Sequence, residues 1–358
     1  MSADPTSEAR ARAGRPGRSS VTYKDLQEHT GLSLSTISKY FNGLPLRESN
    51  RLAVAAAATE LGYRVNTLAR NLRTQRSRTV GVLLPVLDNH FHLSIIAGVE
   101  ASLAGSGVGV VVSASRGAHG RPGEAVDALA DRMVDGIIAV PSPHDAAALT
   151  QVSARDLPVV LIDRLVDGLD CDAVVLDNAD AARQAVRHLV DHGHRRVAAV
   201  AGPPEIWSLQ SRSDGFSEAL RHHDLEIGPA TVQSGPMTVE SGLASMRNLL
   251  AEPERPTAVV CLNYELTVGA LIAVNESGLR IPEDISFVGF DSLELSQVMK
   301  PRLSMVVQPT HEIAVRAADL MRRRLEPRPD DQPEPEPHRR VVLPAELVPG
   351  GSVARPRS

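Results

Sequence analysis

The chain has 358 residues, a length that predicts two or three domains with ample core. Its hydrophobic content of 42% and charged content of 23% are typical of a soluble globular protein. Its two cysteines, Cys171 and Cys261, form no Cys-x-x-Cys pair, which argues against a zinc site or a thioredoxin-like motif. No apolar run reaches the ~18–20 residues of a membrane span, and no secretory signal opens the chain. We therefore expect a cytoplasmic protein without a membrane partner.

Charge is distributed unevenly along the chain. Residues 1–80 hold 13 Lys and Arg against 6 Asp and Glu, a net +7, whereas the remainder holds 25 against 37, a net −12. A basic end on an acidic body indicates nucleic-acid contact at that end. Residues 1–20, with four arginines, are expected to form a disordered basic tail. The sequence leaves open whether this tail solubilises the chain or adds nonspecific DNA affinity.

The stretch after the tail begins with the signals of a short helix. Thr22 is a candidate N-cap, with Asp25 three residues later as in a loose capping box. Leu26 supplies a buried position in a helix predicted over residues 23–30. Gly31 then breaks the helix at a corner where a positive φ is easily adopted.

A second short helix follows the corner. Ser33 is its candidate N-cap, and Ile37 and Phe41 lie four residues apart on one face. A third, Ala-rich helix is predicted over about residues 49–61. Two helices joined by a glycine corner are typical of a helix-turn-helix, although an ordinary helical hairpin has the same pattern. The residues expected to face outward from the second helix are Leu34, Ser35, Ser38 and Lys39.

Several runs in this region resemble the N-terminal domain of the lactose-repressor/galactose-repressor (LacI/GalR) family of bacterial transcription regulators. They keep that family's spacing over more than fifty residues. The runs are Val21-Thr22, Lys24-Asp25, Gly31-Leu32-Ser33, Ser35-Thr36-Ile37-Ser38, Asn42-Gly43, Glu60-Leu61-Gly62-Tyr63 and Asn66-Thr67-Leu68-Ala69-Arg70. The resemblance implies a DNA-binding domain over residues 21–65 and a hinge helix with its linker over residues 66–78.

The resemblance also implies which residues contact DNA. Leu34, Ser35 and Lys39 occupy base-reading positions, and Lys39 replaces the family's usual Arg, which has a more rigid fork. The residues at positions that touch phosphate or hold the motif together are Thr22, Ser33, Thr36, Ser38 and Asn42. In the hinge, the residues at DNA-binding positions are Asn66, Leu68, Ala69 and Leu72. Taken without the resemblance, the hinge is equally well interpreted as a solvated basic linker.

By resemblance, the hinge forms a helix on DNA and enters the minor groove. Leu72 then stands where a wedge pries open a central base step. Val65 replaces the proline that the family commonly has before Asn66, so this hinge is expected to be less pre-ordered.

From Thr79 onward, short apolar runs alternate with helical stretches, which predicts parallel sheets covered on both faces. The predicted strands are 80–85, 109–113, 136–140, 159–163, 173–176, 197–201, 258–262 and 285–290, with closing strands within 339–348. Two sets of strands predict two lobes, and this part resembles the periplasmic-binding-protein-like core of the same family. The expected lobe one spans 79–177 and 309–325, and the expected lobe two spans 178–307 and 338–353, within a domain of 79–353.

Ligands of open α/β sheets bind at the carboxyl ends of the strands, which selects candidate effector-binding residues. Those of lobe one are Asn89, Phe91, His92, Ser115, Arg116, Ser142, Asp163 and Arg164, and those of lobe two are Trp207, Arg212, Asn263, Tyr264 and Asp291. An aromatic plate with Arg, Asp and Asn side chains suits a sugar-like polyol, and a nucleoside or other small polar metabolite remains the alternative. Arg212 with Asp291 is the expected polar anchor.

The resulting hypothesis is a repressor that binds near-palindromic double-stranded operator DNA as a homodimer, or as a tetramer, under control of a small ligand. An activator of the same family, or a ligand-binding or carbohydrate-active protein with a vestigial head, is the alternative. We expect no metal at His188, His192 and His194, no cofactor and no enzymatic activity, because no nucleotide-binding loop or paired catalytic motif is present.

Overall fold

The computed structural model describes residues 21–41, 44–63, 76–115, 121–326 and 336–357. The chain divides into two compact units, residues 1–75 and 76–358. The expected basic tail, the predicted DNA contacts Asn42, Asn66, Leu68, Ala69 and Leu72, and the predicted effector contact Arg116 lie outside the described residues.

The described part of the first unit contains three helices, α1 (Tyr23–Thr30), α2 (Leu34–Phe41) and α3 (Glu48–Glu60). The capping box is confirmed, because the Asp25 carboxylate accepts hydrogen bonds from the Thr22 backbone N–H at 2.6 Å and from its hydroxyl at 2.8 Å. These bonds lower the pKa of Asp25, the one from the backbone most. Gly31 ends α1 with a φ of 69°, the left-handed conformation expected at the corner.

A small apolar core holds the three helices together. Leu26 of α1, Ile37 of α2, and Val54 and Ala57 of α3 are buried at its centre. Aromatic rings extend this core, since the Phe41 ring stacks on Tyr23 at 5.5 Å. The inward face predicted for α2 is therefore confirmed, and the opposite face of this helix is exposed to solvent.

The second unit contains twelve described strands in two six-stranded sheets. In chain order they are β1 (Thr79–Leu84), β2 (Gly109–Ala114), β3 (Gly136–Ala139), β4 (Val159–Ile162), β5 (Asp172–Leu176), β6 (Val197–Ala201), β7 (Val232–Ser234), β8 (Ala258–Cys261), β9 (Ser286–Phe290), β10 (Ser304–Val307), β11 (Arg340–Leu343) and β12 (Glu346–Val348). Lobe one has the order β11-β5-β4-β3-β1-β2, and lobe two the order β12-β10-β9-β8-β6-β7. All pairs are parallel except β10 with β12, so the predicted two-lobed α/β fold is confirmed.

Helices cover both faces of each sheet. They are α4 (His90–Ala104), α5 (Glu124–Asp131), α6 (Ala146–Ser153), α7 (Asn178–Asp191), α8 (Trp207–His222), α9 (Val239–Ala251), α10 (Tyr264–Ser277), α11 (Leu293–Val298) and α12 (Thr310–Leu325). Successive strand residues enter different cores, because Val80 and Val82 of β1 pack into one cluster and Leu83 into the cluster on the other face. Burial on both faces explains why these strands appear in the sequence as continuous apolar runs.

The assignment of residues 338–353 to lobe two is wrong for its first half. Strand β11 pairs in parallel with β5 in lobe one, and β12 pairs antiparallel with β10 in lobe two. The buried carboxylate of Asp172 fixes this crossing, because it accepts hydrogen bonds from the Arg324 guanidinium and from the Arg339 backbone N–H. Apolar patterning cannot distinguish one open sheet edge from another, whereas a buried charge must meet its partners.

Helices α7 and α8 of lobe two approach each other closely at Gly215. A Cβ added there would lie 2.3 Å from the backbone oxygen of Ala179. This backbone cannot move without displacing α7, which begins at the strand ends where ligands of such sheets bind.

We expect Gly215→Ala to destabilise the protein by about 1–3 kcal/mol through overpacking. Urea unfolding followed by circular dichroism measures the change. Gly105→Ala is the matched control, because no atom lies within 4 Å of its added Cβ and its backbone φ is −66°. Equal stability of the two variants would contradict the close packing of α7 on α8.

Candidate functional site

Helix α2 presents an exposed polar face at its N-terminal end. Leu34 is 40% exposed although it is apolar, and Ser35 and Lys39 are also exposed. The Ser33 hydroxyl caps the helix by accepting the Thr36 backbone N–H at 3.2 Å. It also lies 2.8 Å from the Ser35 hydroxyl, so both hydroxyls are gathered at the end where a helix attracts anions such as phosphate.

The remaining described candidate DNA contacts of this unit are Thr22, Thr36 and Ser38. Thr22 is exposed beside the start of α1, and Thr36 and Ser38 are half-buried on α2. The Thr36 hydroxyl lies 2.9 Å from the Ser33 hydroxyl, which favours a role in holding the motif. The described candidates thus lie at the start of α1 and along α2 with its N-terminal flank.

A second site lies in the second unit, where the carboxyl ends of strands from both lobes face each other. They enclose an inner cavity of about 140 Å³. Eight predicted effector residues line it, namely Asn89, Phe91, His92, Asp163, Arg164, Arg212, Asn263 and Asp291. A cavity of about 760 Å³ around Arg196 and Pro253 is larger, but it lies at the amino-terminal strand ends. The strand-end rule favours the smaller, charged cavity.

Two more of the predicted residues line a neighbouring outer cavity of about 530 Å³. Ser142 and Trp207 belong to its wall, and Arg164 is shared with the inner cavity. Ser115 donates its hydroxyl to the Leu84 carbonyl and lines neither cavity. Tyr264 also lies outside both linings, because the next residue of α10, Glu265, takes the inward position.

Arg212 is the buried cation of the inner cavity, with only 2% of its surface exposed. Its Nε donates to Asn178 Oδ1 and its Nη1 to the Leu262 carbonyl, both at 2.8 Å. Its Cζ lies 4.0 Å from the centroid of the Phe290 ring, within cation–π distance. Burial lowers the pKa of Arg212, with nearby carboxylates opposing the effect. Its position is thus fixed before any ligand binds.

Carboxylates from both lobes face this guanidinium. Asp163 of lobe one lies 3.9 Å from Arg212 Nη2 and accepts a hydrogen bond from the Ser208 hydroxyl at 3.2 Å. Asp291 of lobe two accepts from Gln308 Nε2 at 2.6 Å. The predicted anchor of Arg212 with Asp291 therefore has both members in the wall, but among the described residues Arg212 forms its ion pair with Asp163.

Asp163 and Asp291 both adopt left-handed backbone conformations, with φ values of 66° and 80°. Such strain in non-glycine residues is concentrated at functional sites. Burial raises the pKa of Asp291 to about 6, although Arg212 opposes this shift. Burial also disfavours the charged form of His92 and so lowers its pKa. The His92 Nδ1 lies 3.1 Å from the Val86 carbonyl oxygen.

Sequence reasoning missed Glu265 and Gln308 as site residues. Asn89 Nδ2 of lobe one donates to Glu265 Oε1 of lobe two at 2.6 Å, across the cleft. Glu265 Oε2 and Gln308 Oε1 are buried without a hydrogen-bond partner in the described part of the chain. Gln308 directly follows β10, so the strand-end rule could have identified it. Glu265 lies in the first turn of α10 beside the selected Asn263 and Tyr264, and no local pattern shows which side chain of that turn faces the cavity.

The histidines considered as metal ligands bond to protein atoms instead. His188 Nε2 lies 3.1 Å from the Ser304 hydroxyl, and His194 Nε2 lies 2.8 Å from the Ala354 carbonyl oxygen. Within the described ranges, no group of three or more His, Cys, Asp or Glu residues is arranged to hold a metal ion. No helix of the described residues is long and apolar enough to cross a membrane.

Comparisons with known proteins match this architecture. The model of the periplasmic binding protein-like domain matches residues 186–353. The chain is 31% identical over 305 residues to the HTH-type transcriptional repressor CytR of Escherichia coli (strain K12), covering 84% of this chain and 89% of that one. The lac repressor dimer bound to operator and the anti-inducer ONPF matches with a TM-score of 0.80 and 28% identity, covering 94% and 99% of the two chains. A complex of the transcriptional regulator CelR with cellobiose matches with a TM-score of 0.68 and 28% identity, covering 93% and 99%.

A small three-helix unit joined to a two-lobed core with a charged cleft defines a class of DNA-binding transcription regulators. This chain belongs to that class through the LacI/GalR family, which its sequence resemblance predicted. Like its relatives, it is a transcription regulator and not an enzyme.

The raised pKa of Asp291 predicts that replacing this residue by an uncharged one changes the stability of the protein by an amount that depends on pH. Below the ordinary pKa of 3.8 both folded and unfolded chains hold the proton, and between 3.8 and about 6 only the folded chain does, so stability falls as pH rises. Asp291→Asn removes this loss. We expect its stability advantage over the parent to be on the order of 1 kcal/mol larger at about pH 8 than at about pH 5.

Thermal unfolding of both proteins at the two pH values measures this difference, and the titration of all other groups cancels between them. An advantage that stayed constant or shrank with rising pH would rule out a raised pKa at Asp291.

Proposed function

We propose that the chain is a repressor that binds near-palindromic double-stranded operator DNA and is controlled by a small polar effector held between the two lobes. The observation that carries the effector half is the convergence of the buried Asp163 and Arg212 with the half-buried Asp291 at the strand ends of opposing lobes. Buried charges that are fixed but incompletely paired are expected at a binding site. The exposed N-terminal face of α2 supports the DNA half.

In the proposed complex, Leu34, Ser35 and Lys39 contact base edges in the major groove. Lysine can donate to guanine O6 or N7, although without the paired geometry of arginine. The residues that contact phosphate or stabilise the motif are Thr22, Ser33, Thr36, Ser38 and Asn42. The hinge residues proposed to enter the minor groove are Asn66, Leu68, Ala69 and Leu72, and this part of the proposal rests on the family resemblance.

The proposed effector is a sugar or related metabolite. Carboxylates and amides bind hydroxyl groups in pairs, and the half-buried Trp207 offers a flat apolar face at the outer cavity. A structural neighbour of this chain is a cellobiose complex, which supports a carbohydrate. The proposed effector contacts are the predicted residues that line the two cavities, with Glu265 and Gln308 added.

A symmetric pair of chains suits a near-palindromic site, so we propose a homodimer, with a tetramer of two such dimers as the alternative assembly. The lac repressor neighbour is a dimer on operator. The proposed domains are a DNA-binding domain over 21–65, a hinge over 66–78 and an effector-binding domain over 79–353. Such a protein acts in the cytoplasm, associated with the nucleoid.

The proposal is tested by fluorescence anisotropy with labelled fragments of the gene's own upstream region, with and without a panel of sugars and nucleosides. We expect specific binding that falls steeply with salt and changes with one compound. Linkage requires operator DNA to change the affinity for that compound by the same factor. Absence of sequence preference at low ionic strength would reject the proposal. Binding that increases transcription from the fragment would favour an activator.

Lys39→Ala is expected to weaken specific binding by about 1–3 kcal/mol while changing binding to random DNA much less, because the lost contact is to a base. Anisotropy titrations with operator and scrambled DNA measure both. Arg51→Ala serves as the control, because Arg51 lies on α3 and pairs with Glu48. Equal losses on both DNAs would assign Lys39 to phosphate contact.

Arg212→Lys is expected to retain operator affinity but to reduce the effector response by about tenfold or more. Lysine keeps the charge and loses the fork held by Asn178 and the Leu262 carbonyl. Operator release titrated with the active compound measures the response. Arg183→Lys, at a half-buried position of α7, is the control for an arginine outside the cavity. A normal response of Arg212→Lys would move the effector site elsewhere.

A further inference from the structure

Two hydrogen-bond acceptors in the wall of the inner cavity have no donor among the described residues. Glu265 Oε2 and Gln308 Oε1 are buried and lack a donor among the described residues. Gln308 is only 6% exposed, and its amide nitrogen is already engaged with Asp291, which leaves the oxygen unpaired. A buried acceptor without a partner destabilises the protein, so an occupant that supplies a donor is favoured there.

The donors of the same cavity are largely used by the protein itself. Arg212 gives its Nε and Nη1 to protein oxygens, Asn89 gives its amide to Glu265, and Arg164 gives its Nε to Asp163. Within the described residues, the side-chain atoms of this wall that stay buried without a partner are both acceptors. An occupant that pairs them must supply hydrogen-bond donors.

The formal charges of the cavity wall also favour an occupant that brings a positively charged donor. Three carboxyl side chains, Asp163, Glu265 and Asp291, line the cavity with only two guanidinium groups, Arg164 and Arg212. His92 does not make up the difference, because burial lowers its pKa and favours the neutral ring. With its carboxyl groups ionised, the wall carries one excess negative charge.

Building on the proposed effector site, we propose that the effector carries a protonated amine, as an amino sugar does, and that this group binds between Glu265 and Gln308. An ammonium group brings one positive charge and three donors on a single atom, whereas a hydroxyl brings one donor and no charge. An ammonium group can therefore donate to these acceptors and offset the excess negative charge of the wall. Glu265 becomes the residue that selects an amine over a hydroxyl.

The first test needs no ligand. Glu265→Gln removes the excess charge and still offers an oxygen to Asn89, so we expect the unliganded full-length chain to melt at a higher temperature than the parent. Glu254→Gln, at an exposed loop position, is the matched control for removal of a glutamate charge. Asp291→Asn is a second neutralising variant of the same wall. A melting temperature of Glu265→Gln at or below that of Glu254→Gln overturns the proposal.

The second test uses glucosamine with glucose and galactosamine with galactose as matched probes, and N-acetylglucosamine as the uncharged amide. Binding is measured by calorimetry at fixed ionic strength. We expect each amino sugar to bind at least about tenfold more tightly than its hydroxyl partner, and Glu265→Gln to abolish most of that preference. A panel in which no amino sugar binds more tightly than its partner overturns the proposal.

Operator binding by the same preparations is followed in parallel by anisotropy. A neutral sugar that binds and changes operator affinity would leave the proposed regulator intact and reject only the amine. Absence of sequence-specific DNA binding would reject the proposed function, whatever the sugar panel gives.

Discussion

The cleft between the lobes depends on the burial of the Arg212 guanidinium. A charge removed from water must be matched by protein groups, and here the match comes from both lobes. Asn178 and the Leu262 carbonyl hold the guanidinium within lobe two, whereas Asp163 approaches it from lobe one. Replacing this cation by an apolar group would leave buried carboxylates unbalanced. The strand ends of both sheets are thereby fixed to one charged centre.

Contacts across the cleft are polar and few, which suits a joint that must change. Asn89 donates to Glu265, and Ser208 donates to Asp163, in each case from one lobe to the other. Hydrogen bonds of this kind contribute about 0.5–1.5 kcal/mol each, more when one partner is charged, so a ligand can compensate for their loss. Large apolar clusters lie instead on the two faces of each sheet. Each lobe is therefore rigid in itself, while the connection between lobes can respond to what the cavity holds.

The cavity is also where the chain tolerates local instability. Asp163 and Asp291 have strained backbones, and Asp291 is half-buried with a raised pKa. Within the described part of the chain, Glu265 and Gln308 retain unpaired oxygens. Features of this kind lower stability and persist where binding requires them. In the three-helix unit the corresponding exception is Leu34, an apolar side chain exposed at the end of α2. Both exceptions point to surfaces completed by a partner.

The sequence by itself determined most of the elements and most of the site, although strands β7 and β10 were not predicted. Apolar runs located the buried strands, Thr22 with Asp25 and Gly31 bounded α1, and the strand-end rule selected eight residues of the inner cavity, because these signals are local and periodic. Only the tertiary structure decided that β11 crosses to lobe one, that Arg212 pairs with Asp163, and that Glu265 faces the cavity beside Asn89. These facts join residues far apart in the chain, and no local pattern encodes which distant partner a buried edge or charge will meet.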